Sequence, residues 1–327
     1  MKTSIKYSIC LFFLLYNMAI SQNYDWQNII EFSNGKISDL KAKSSDDFIF
    51  SHRETIKIDN YKIISYATIY CYDRIKNKPV EIFRISAEFS QPEFRVIEYI
   101  DSNNIIAAAD GYHIYKTKNR GLNLDTIQIK KGNKNILSNC ISFCDTLNGV
   151  ISYYTTDSLY LTRDGGYNWK ALPYAFDFVH YLKIFDENTI YYMGKDEKKG
   201  EVLFRTFNSG NQWDSIILPY STRALFFLNK DTGFVATNDF FDTSMPYNVH
   251  KVYRTHDGGL NWTLIRDYMN GSEALKDIYF SDYNNGLVLD KMNYIYRTTD
   301  AGKTWSWEKP EKPFNKFGAF INKIIYP

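Results

Sequence analysis

A chain of 327 residues that is 44% hydrophobic can bury one large core or two moderate ones. Its formal charge of +2 gives no field that would draw nucleic acid or an anionic membrane surface. Aromatic residues make up 17% of it, with 27 Tyr and 23 Phe, which favours strands buried on both faces, and few stretches show helical periodicity.

The first predicted element is a leader. Lys2 and Lys6 precede an apolar run from Ile9 to Leu15 that continues to Ile20, and Ala19-Ile20-Ser21 is a small-x-small cleavage site. That layout predicts a secretory signal peptide over residues 1–21, too short to span a bilayer. Cys10 lies inside the apolar run rather than after it, which argues against a lipid anchor. Cleavage removes two lysines and no acid, so the mature chain is about neutral, exported to the periplasm or the exterior, and not inserted in a membrane. The mature chain keeps Cys71, Cys140 and Cys144, an odd number that allows at most one internal disulfide. On one extended strand Cys140 and Cys144 would stand roughly 13 Å apart, too far to bridge, and they read as small buried hydrophobes. No metal-ligand spacing and no phosphate-cradling loop occurs, so neither a metal nor a cofactor is expected.

Residues 22–327 read as a single domain. Asp25-Trp26-Gln27-Asn28-Ile29-Ile30 is a predicted outer strand, and residues 38–92 form a unit of strands without a marked turn. From there one pattern returns: Tyr115-Lys116-Thr117-Lys118-Asn119-Arg120-Gly121, then Tyr160-Leu161-Thr162-Arg163-Asp164-Gly165-Gly166 with Trp169. It recurs as Phe204-Arg205-Thr206-Phe207-Asn208-Ser209-Gly210 with Trp213, as Tyr253-Arg254-Thr255-His256-Asp257-Gly258-Gly259 with Trp262, and as Tyr296-Arg297-Thr298-Thr299-Asp300-Ala301-Gly302 with Trp305. The threonines fall 45, 44, 49 and 43 residues apart, the length of a four-stranded repeat. Thr hydroxyls and Asp or Asn side chains close such a turn on its own backbone, the glycines take positive φ, and the Trp anchors the next strand.

A second signature keeps the register. Tyr99-x-Asp101, Phe143-x-Asp145, Ile184-x-Asp186, Phe227-x-Asn229 and Phe280-x-Asp282 each mark an inner strand turning into the next. Two residues upstream stand Ile97, Ile141, Leu182, Leu225 and Ile278, as period-two alternation requires. In the turn-bearing strands an aliphatic always adjoins an aromatic, so both faces must be covered.

The recurring Thr-x-Asp-x-Gly-x-x-Trp resembles the Asp-box, or BNR, repeat. That repeat is found in sialidases, sortilin-like receptors and, closest to this chain, the photosystem II stability/assembly factor-like group. The resemblance implies an all-β, β-propeller fold in which each box joins the third and fourth strands of a blade, away from the usual binding face. The boxes are then structural and Asp164, Asp257 and Asp300 are not catalytic. Six complete units and a composite of the two chain ends, with residues 317–327 in it, give six or seven blades, and seven is favoured.

Four residues before each inner-strand anchor the apolar rule breaks: Arg95, Asn139, His180, Arg223 and Lys276. In a propeller these ring the channel mouth opposite the boxes, where four potential cations would attract an anionic group. Polar strand starts that merely meet solvent would look the same. A long connection on that face carries Phe240, Phe241, Met245 and Tyr247, either an exposed contact surface or a loop folded back on the neighbouring blade. Lys195 to Gly200 reads as a charged turn. Phe83-Arg84-Ile85-Ser86 is similar to the sialidase Phe-Arg-Ile-Pro signature, with Ser86 departing from it. The leading expectation is an exported, non-catalytic binding or assembly scaffold for a protein or glycan, with no catalytic residues. A sialidase-like glycoside hydrolase using Arg84, Arg95 and Arg223 is the alternative.

Overall fold

The computed structural model describes residues 7–10, 28–32, 36–44, 47–57, 63–73, 78–88, 92–109, 112–129, 137–154, 158–173, 179–196, 200–219, 221–239, 249–266, 274–292 and 294–308. After a two-stranded pair, β1 (Tyr7–Cys10) with β2 (Asn28–Phe32), the described residues form six four-stranded antiparallel sheets. The first holds β3 (Lys36–Ser44), β4 (Asp47–Lys57), β5 (Ile63–Asp73) and β6 (Lys78–Glu88). The second holds β7 (Phe94–Tyr99), β8 (Ile105–Ala109), β9 (His113–Thr117) and β10 (Asp125–Gln128). The third holds β11 (Ser138–Phe143), β12 (Gly149–Tyr153), β13 (Ser158–Thr162) and β14 (Lys170–Pro173). In the fourth are β15 (Tyr181–Ile184), β16 (Ile190–Asp196), β17 (Gly200–Thr206) and β18 (Asp214–Ile217). The fifth and sixth run from β19 (Thr222–Phe227), β20 (Gly233–Asp239), β21 (Val249–Thr255) and β22 (Thr263–Arg266) to β23 (Leu275–Phe280), β24 (Gly286–Asp290), β25 (Ile295–Thr298) and β26 (Ser306–Glu308).

Each sheet is a meander in chain order, and each first strand packs on the next sheet's first strand from β3 through β23. First strands are therefore the inner ones, and the architecture is a β-propeller. The unmarked unit is a complete sheet, as its strand pattern predicts. The predicted N-terminal outer strand forms as β2, but its partner is β1 of the leader region rather than the last sheet. Residues 317–327 lie outside the described residues.

Alternation puts the core between sheets, not within them. Ile114 packs toward the third sheet while Tyr115 packs toward the first. Leu203 and Phe204 likewise face the fifth and third sheets. In the pairs of the second to fifth sheets the aliphatic faces the following sheet and the aromatic the preceding one, so these blades are dry on both sides. Among the described residues Cys71, Cys140 and Cys144 form no disulfide, and each is half-buried against these cores. Among the described residues no helix is long and apolar enough to cross a membrane, and no group of three His, Cys, Asp or Glu could hold a metal.

Candidate functional site

The repeated turns join third to fourth strands, and they bond to themselves. In the third sheet the Thr162 hydroxyl donates to Asp164 Oδ1 at 2.9 Å and accepts the Gly166 N–H at 2.8 Å. Asp164 Oδ1 accepts the N–H of Tyr167 at 3.0 Å and of Asn168 at 2.9 Å, and the Trp169 indole donates to the Gly166 carbonyl at 2.8 Å. Thr255–Asp257 and Thr298–Asp300 repeat the pattern, and Thr206–Asn208 repeats it with an amide. Burial raises the Asp164 and Asp257 carboxyls, but N–H and hydroxyl donors outweigh it and hold both at about 2. Asp300 is also held at about 2, first by the Thr304 hydroxyl. The Trp213 and Trp262 indoles, by contrast, are buried without a hydrogen-bond partner, so the Trp closure operates only for Trp169 and Trp305.

Two features of these turns go beyond the sequence motif. The residue before each recurring glycine also has positive φ: Arg120, Gly165, Ser209, Gly258 and Ala301. Its N–H donates to the inner turn of its own sheet, at the carbonyls of Asn103, Leu147, Asn188, Asp231 and Asn284 respectively. In three of the turns the residue before the Thr is a seam cation: Lys116, Arg205 and Arg254 donate to the turn carbonyls of Gly165, Gly258 and Ala301 in the following sheet. Polar atoms on this face are thus largely spent on the fold.

Strand starts lie at the other end of the sheets. Here Arg95, Asn139, Arg223 and Lys276 share one property, an interrupted register in which each is the extra residue of a β-bulge. Ser38 holds that place in the first sheet. His180 holds it in the fourth, where its N–H bonds the Met193 carbonyl at 2.9 Å while Tyr181 pairs the same residue. The apolar rule breaks because a bulged residue leaves the ladder's alternation and turns out to the mouth.

The expected cationic ring is smaller than five such positions suggest. Arg95 is ion-paired at 3.1 Å with Glu93, a nearly buried carboxylate that also takes Arg53 at 3.3 Å and the Ser38 hydroxyl at 2.6 Å. The Asn139 amide donates to the Val179 carbonyl of the next sheet. His180 is exposed at the rim, yet desolvation by the mouth walls lowers its pKa; Glu201 opposes that, and Lys195 and Arg223 add to it. Its imidazole is therefore neutral near pH 7. Burial also lowers Lys276, with Asp277 opposing and Lys291 adding. Arg223 remains an exposed cation.

Deeper in the channel the inner strands carry residues the motif reading passed over. Lys41 pairs with Glu98 at 2.8 Å across the first two sheets, and Asp39 Oδ2 accepts the Ile97 N–H at 2.9 Å. Ser142 and Tyr181 cap the inner-strand N–H groups of Ile184 and Phe227 in the same way. Burial lowers Lys183, with Glu98 opposing. Phe226 and Tyr279 meet at 4.9 Å on the far side. Position immediately before each inner-strand anchor was the signal that would have found Glu98, Ser142 and Lys183, and Lys41 holds the same place in the first sheet.

Of the remaining expectations, Phe240, Phe241, Met245 and Tyr247 lie outside the described residues. Their segment joins β20 to β21 at the mouth end. At the ends of the expected charged turn Lys195 and Asp196 pair with Glu201 and Gly200 in the ladder, and residues 197–199 lie outside the described residues. Arg84 sits on β6, the outer strand of its sheet, bonded to Glu81 at 2.8 Å and stacked 5.0 Å over Tyr66. Arg95 and Arg223 are on inner strands of other sheets, so these three arginines do not converge.

No family model matches the sequence, and no curated protein does. Solved structures match in fold. YCF48 from Cyanidioschyzon merolae aligns at TM-score 0.54 and 11% identity over 84% of this chain and 85% of that one. A chain of the mitotic checkpoint complex aligns at 0.56 and 7% over 80% and 77%. The GH74 xyloglucanase from Xanthomonas campestris aligns at 0.54 and 12% over 83% of this chain but 46% of that one, so this chain spans about half its length. At these identities the likeness is one of architecture: the chain is a β-propeller similar in fold to YCF48.

Proposed function

We propose that this chain is an exported, non-catalytic Asp-box propeller that serves as a binding or assembly scaffold, engaging a protein or glycan through the mouth opposite its repeated turns. The observation that carries this reading is the bulge placed at the same point of five sheets, at Ser38, Arg95, Asn139, Arg223 and Lys276, with His180 at the matching strand start of the fourth, so that these residues share the end opposite the repeated turns. Bulges re-aim side chains where a sheet meets a ligand. The opposite face spends its Thr, Asp and Asn groups on its own backbone and offers few of them to a partner. The leader pattern of residues 1–21 supports export.

A photo-crosslinking residue placed at Arg223 or at His180 is expected to capture the partner, and one at Leu260 on the turn face is not. Capture from Leu260 alone would reverse the assignment of faces. Hydrolysis of fluorogenic sialosides that is abolished by Arg223→Ala would overturn the non-catalytic reading.

A further inference from the structure

We infer that the channel between the inner strands holds a second binding site, below the mouth, for a small molecule that joins a single carboxylate to a ring with an apolar face. This site is separate from the partner surface proposed above and does not depend on it. Three residues along each inner strand from the mouth position stand Lys41, Glu98, Ser142, Lys183, Phe226 and Tyr279. The rise of a strand puts all six at one level, about 10 Å inside the mouth. The residues just before five of them, Ile97, Ile141, Leu182, Leu225 and Ile278, are buried in the cores between sheets. At the level itself Lys41 and Glu98 keep 26% and 20% of their side-chain surface, and Lys183, Phe226 and Tyr279 are also only half-buried, while Ser142 is buried. Inner strands wall the axis, so this remaining exposure opens on the channel.

The level is polar on one side and aromatic on the other. Lys41 is a matched charge: burial disfavours it, but Glu98, ion-paired at 2.8 Å, and Asp39 outweigh that and raise its pKa. Lys183 is not matched. It lies near enough to Glu98 of the second sheet and Lys41 of the first to feel both, yet among the described residues it makes no ion pair and no side-chain hydrogen bond. In the fifth and sixth sheets the same level carries Phe226 and Tyr279, ring centroids 4.9 Å apart and tilted by 54°.

A channel that held only water would gain from neither feature. Half-exposed rings leave apolar surface wet, and an enclosed ammonium without a counter-ion has lost hydration that nothing replaces. One ligand removes both costs, with its carboxylate on Lys183 and its ring against the aromatic pair. The charges already present set the valence. A monoanion completes the cluster, whereas the second charge of a phosphate would meet the repulsion of Glu98.

Binding to the purified full chain by calorimetry tests this, with phenylacetate as an aromatic acid and glucuronate as an acidic sugar. Phenylacetamide and glucose serve as their neutral counterparts, and inorganic phosphate as a bare anion. At least one acid is expected to bind saturably, about tenfold or more tighter than its neutral counterpart and than phosphate, the gain from one charge-assisted bond. Lys183→Gln should remove that gain, and Phe226→Ala should weaken the acid at least about threefold through lost ring contact. Reductive methylation of the wild-type chain, read by mass spectrometry, locates the site without a variant: the bound acid should shield Lys183 and leave the exposed Lys230 of the turn face as reactive as before. If Lys183→Gln fails to fold, this footprint decides alone. Binding of neither acid overturns the inference, as does phosphate binding as tightly as the better acid, or acid binding that survives Lys183→Gln. Shielding of Lys276 in place of Lys183 overturns it too, by putting the acid at the mouth.

Discussion

Replacing Thr255 by Val removes one oxygen from a repeated turn and keeps its shape, so the energetic consequence can be worked from the hydrogen bonds. The hydroxyl donates to Asp257 at 2.7 Å and accepts the buried Gly259 N–H at 2.9 Å. The bond to a carboxylate is worth about 1.5 kcal/mol, the low end for charged acceptors because Asp257 is part-exposed. Leaving the Gly259 N–H without an acceptor costs about 2 kcal/mol. The added methyl returns about 0.5–1 kcal/mol in β-propensity and burial. The net loss is about 2.5–3 kcal/mol, or roughly 4–5 °C in Tm for a domain of about 300 residues. Thr206 makes the same two bonds, at 3.0 and 2.9 Å, but its acceptor is the Asn208 amide. Thr206→Val should therefore lose only about 2 kcal/mol. Guanidinium melts of both variants, with two probes to check a single transition, measure the difference. A loss under about 1 kcal/mol for Thr255→Val, or a larger loss for Thr206→Val, would refute the account of the turn as a self-satisfied unit.

Gly259 has φ +94, and a methyl there would lie 2.7 Å from Leu203 of the preceding sheet, so Gly259→Ala should cost about 2–4 kcal/mol by calorimetry. Asp164 and Asp257 sit at about 2 when folded, below the ordinary unfolded carboxyl, so their stabilisation is complete above about pH 4 and is lost as pH falls through 2. An acid titration of stability should accordingly be flatter over that window in Asp257→Asn, which reproduces the turn of Asn208. Glu93→Ala leaves Arg95 and Arg53 without their shared carboxylate and should destabilise by about 2–3 kcal/mol in a denaturant melt, below the range for a fully buried pair because both arginines reach solvent.

Most of the fold was legible because its determinants are local. A Thr, an Asp and a Gly within five residues close a turn whatever surrounds them, and their spacing near 45 residues sets the unit. Alternation around Ile97 and its counterparts then places the inner strands, since one slipped residue would expose the whole apolar set. Contacts between units left no such local trace. Lys116, Arg205 and Arg254 were visible as part of the motif, but their reach to the next sheet's turn depends on how blades stack. Leu161 at the same place in the third sheet shows why: there the link to the fourth sheet comes from Arg163 instead, which donates to Ser209 at 2.8 Å.

The mouth was half legible for a related reason. Sequence placed Arg95, Asn139, His180, Arg223 and Lys276 together because each interrupts an apolar pattern at one point of the register. It could not separate the two physical sources of that interruption, a strand start meeting solvent and a bulge that rotates one side chain out of the ladder, because both leave a single polar residue. The bulge has consequences that plain solvation lacks. It fixes the side-chain direction through the backbone, and it leaves Arg95 to pair with Glu93, two residues away in the same segment, and Asn139 to donate to the Val179 carbonyl of the next sheet. Those bonds take two of the five out of circulation and leave the exposed pair His180 and Arg223 as the part of the rim open to a partner. A neutral imidazole next to an exposed guanidinium would gain charge on acidification, so anionic partners should bind this pair more tightly below the His180 pKa. Binding that is unchanged in His180→Gln across pH 5–7 would locate the contact elsewhere on the rim.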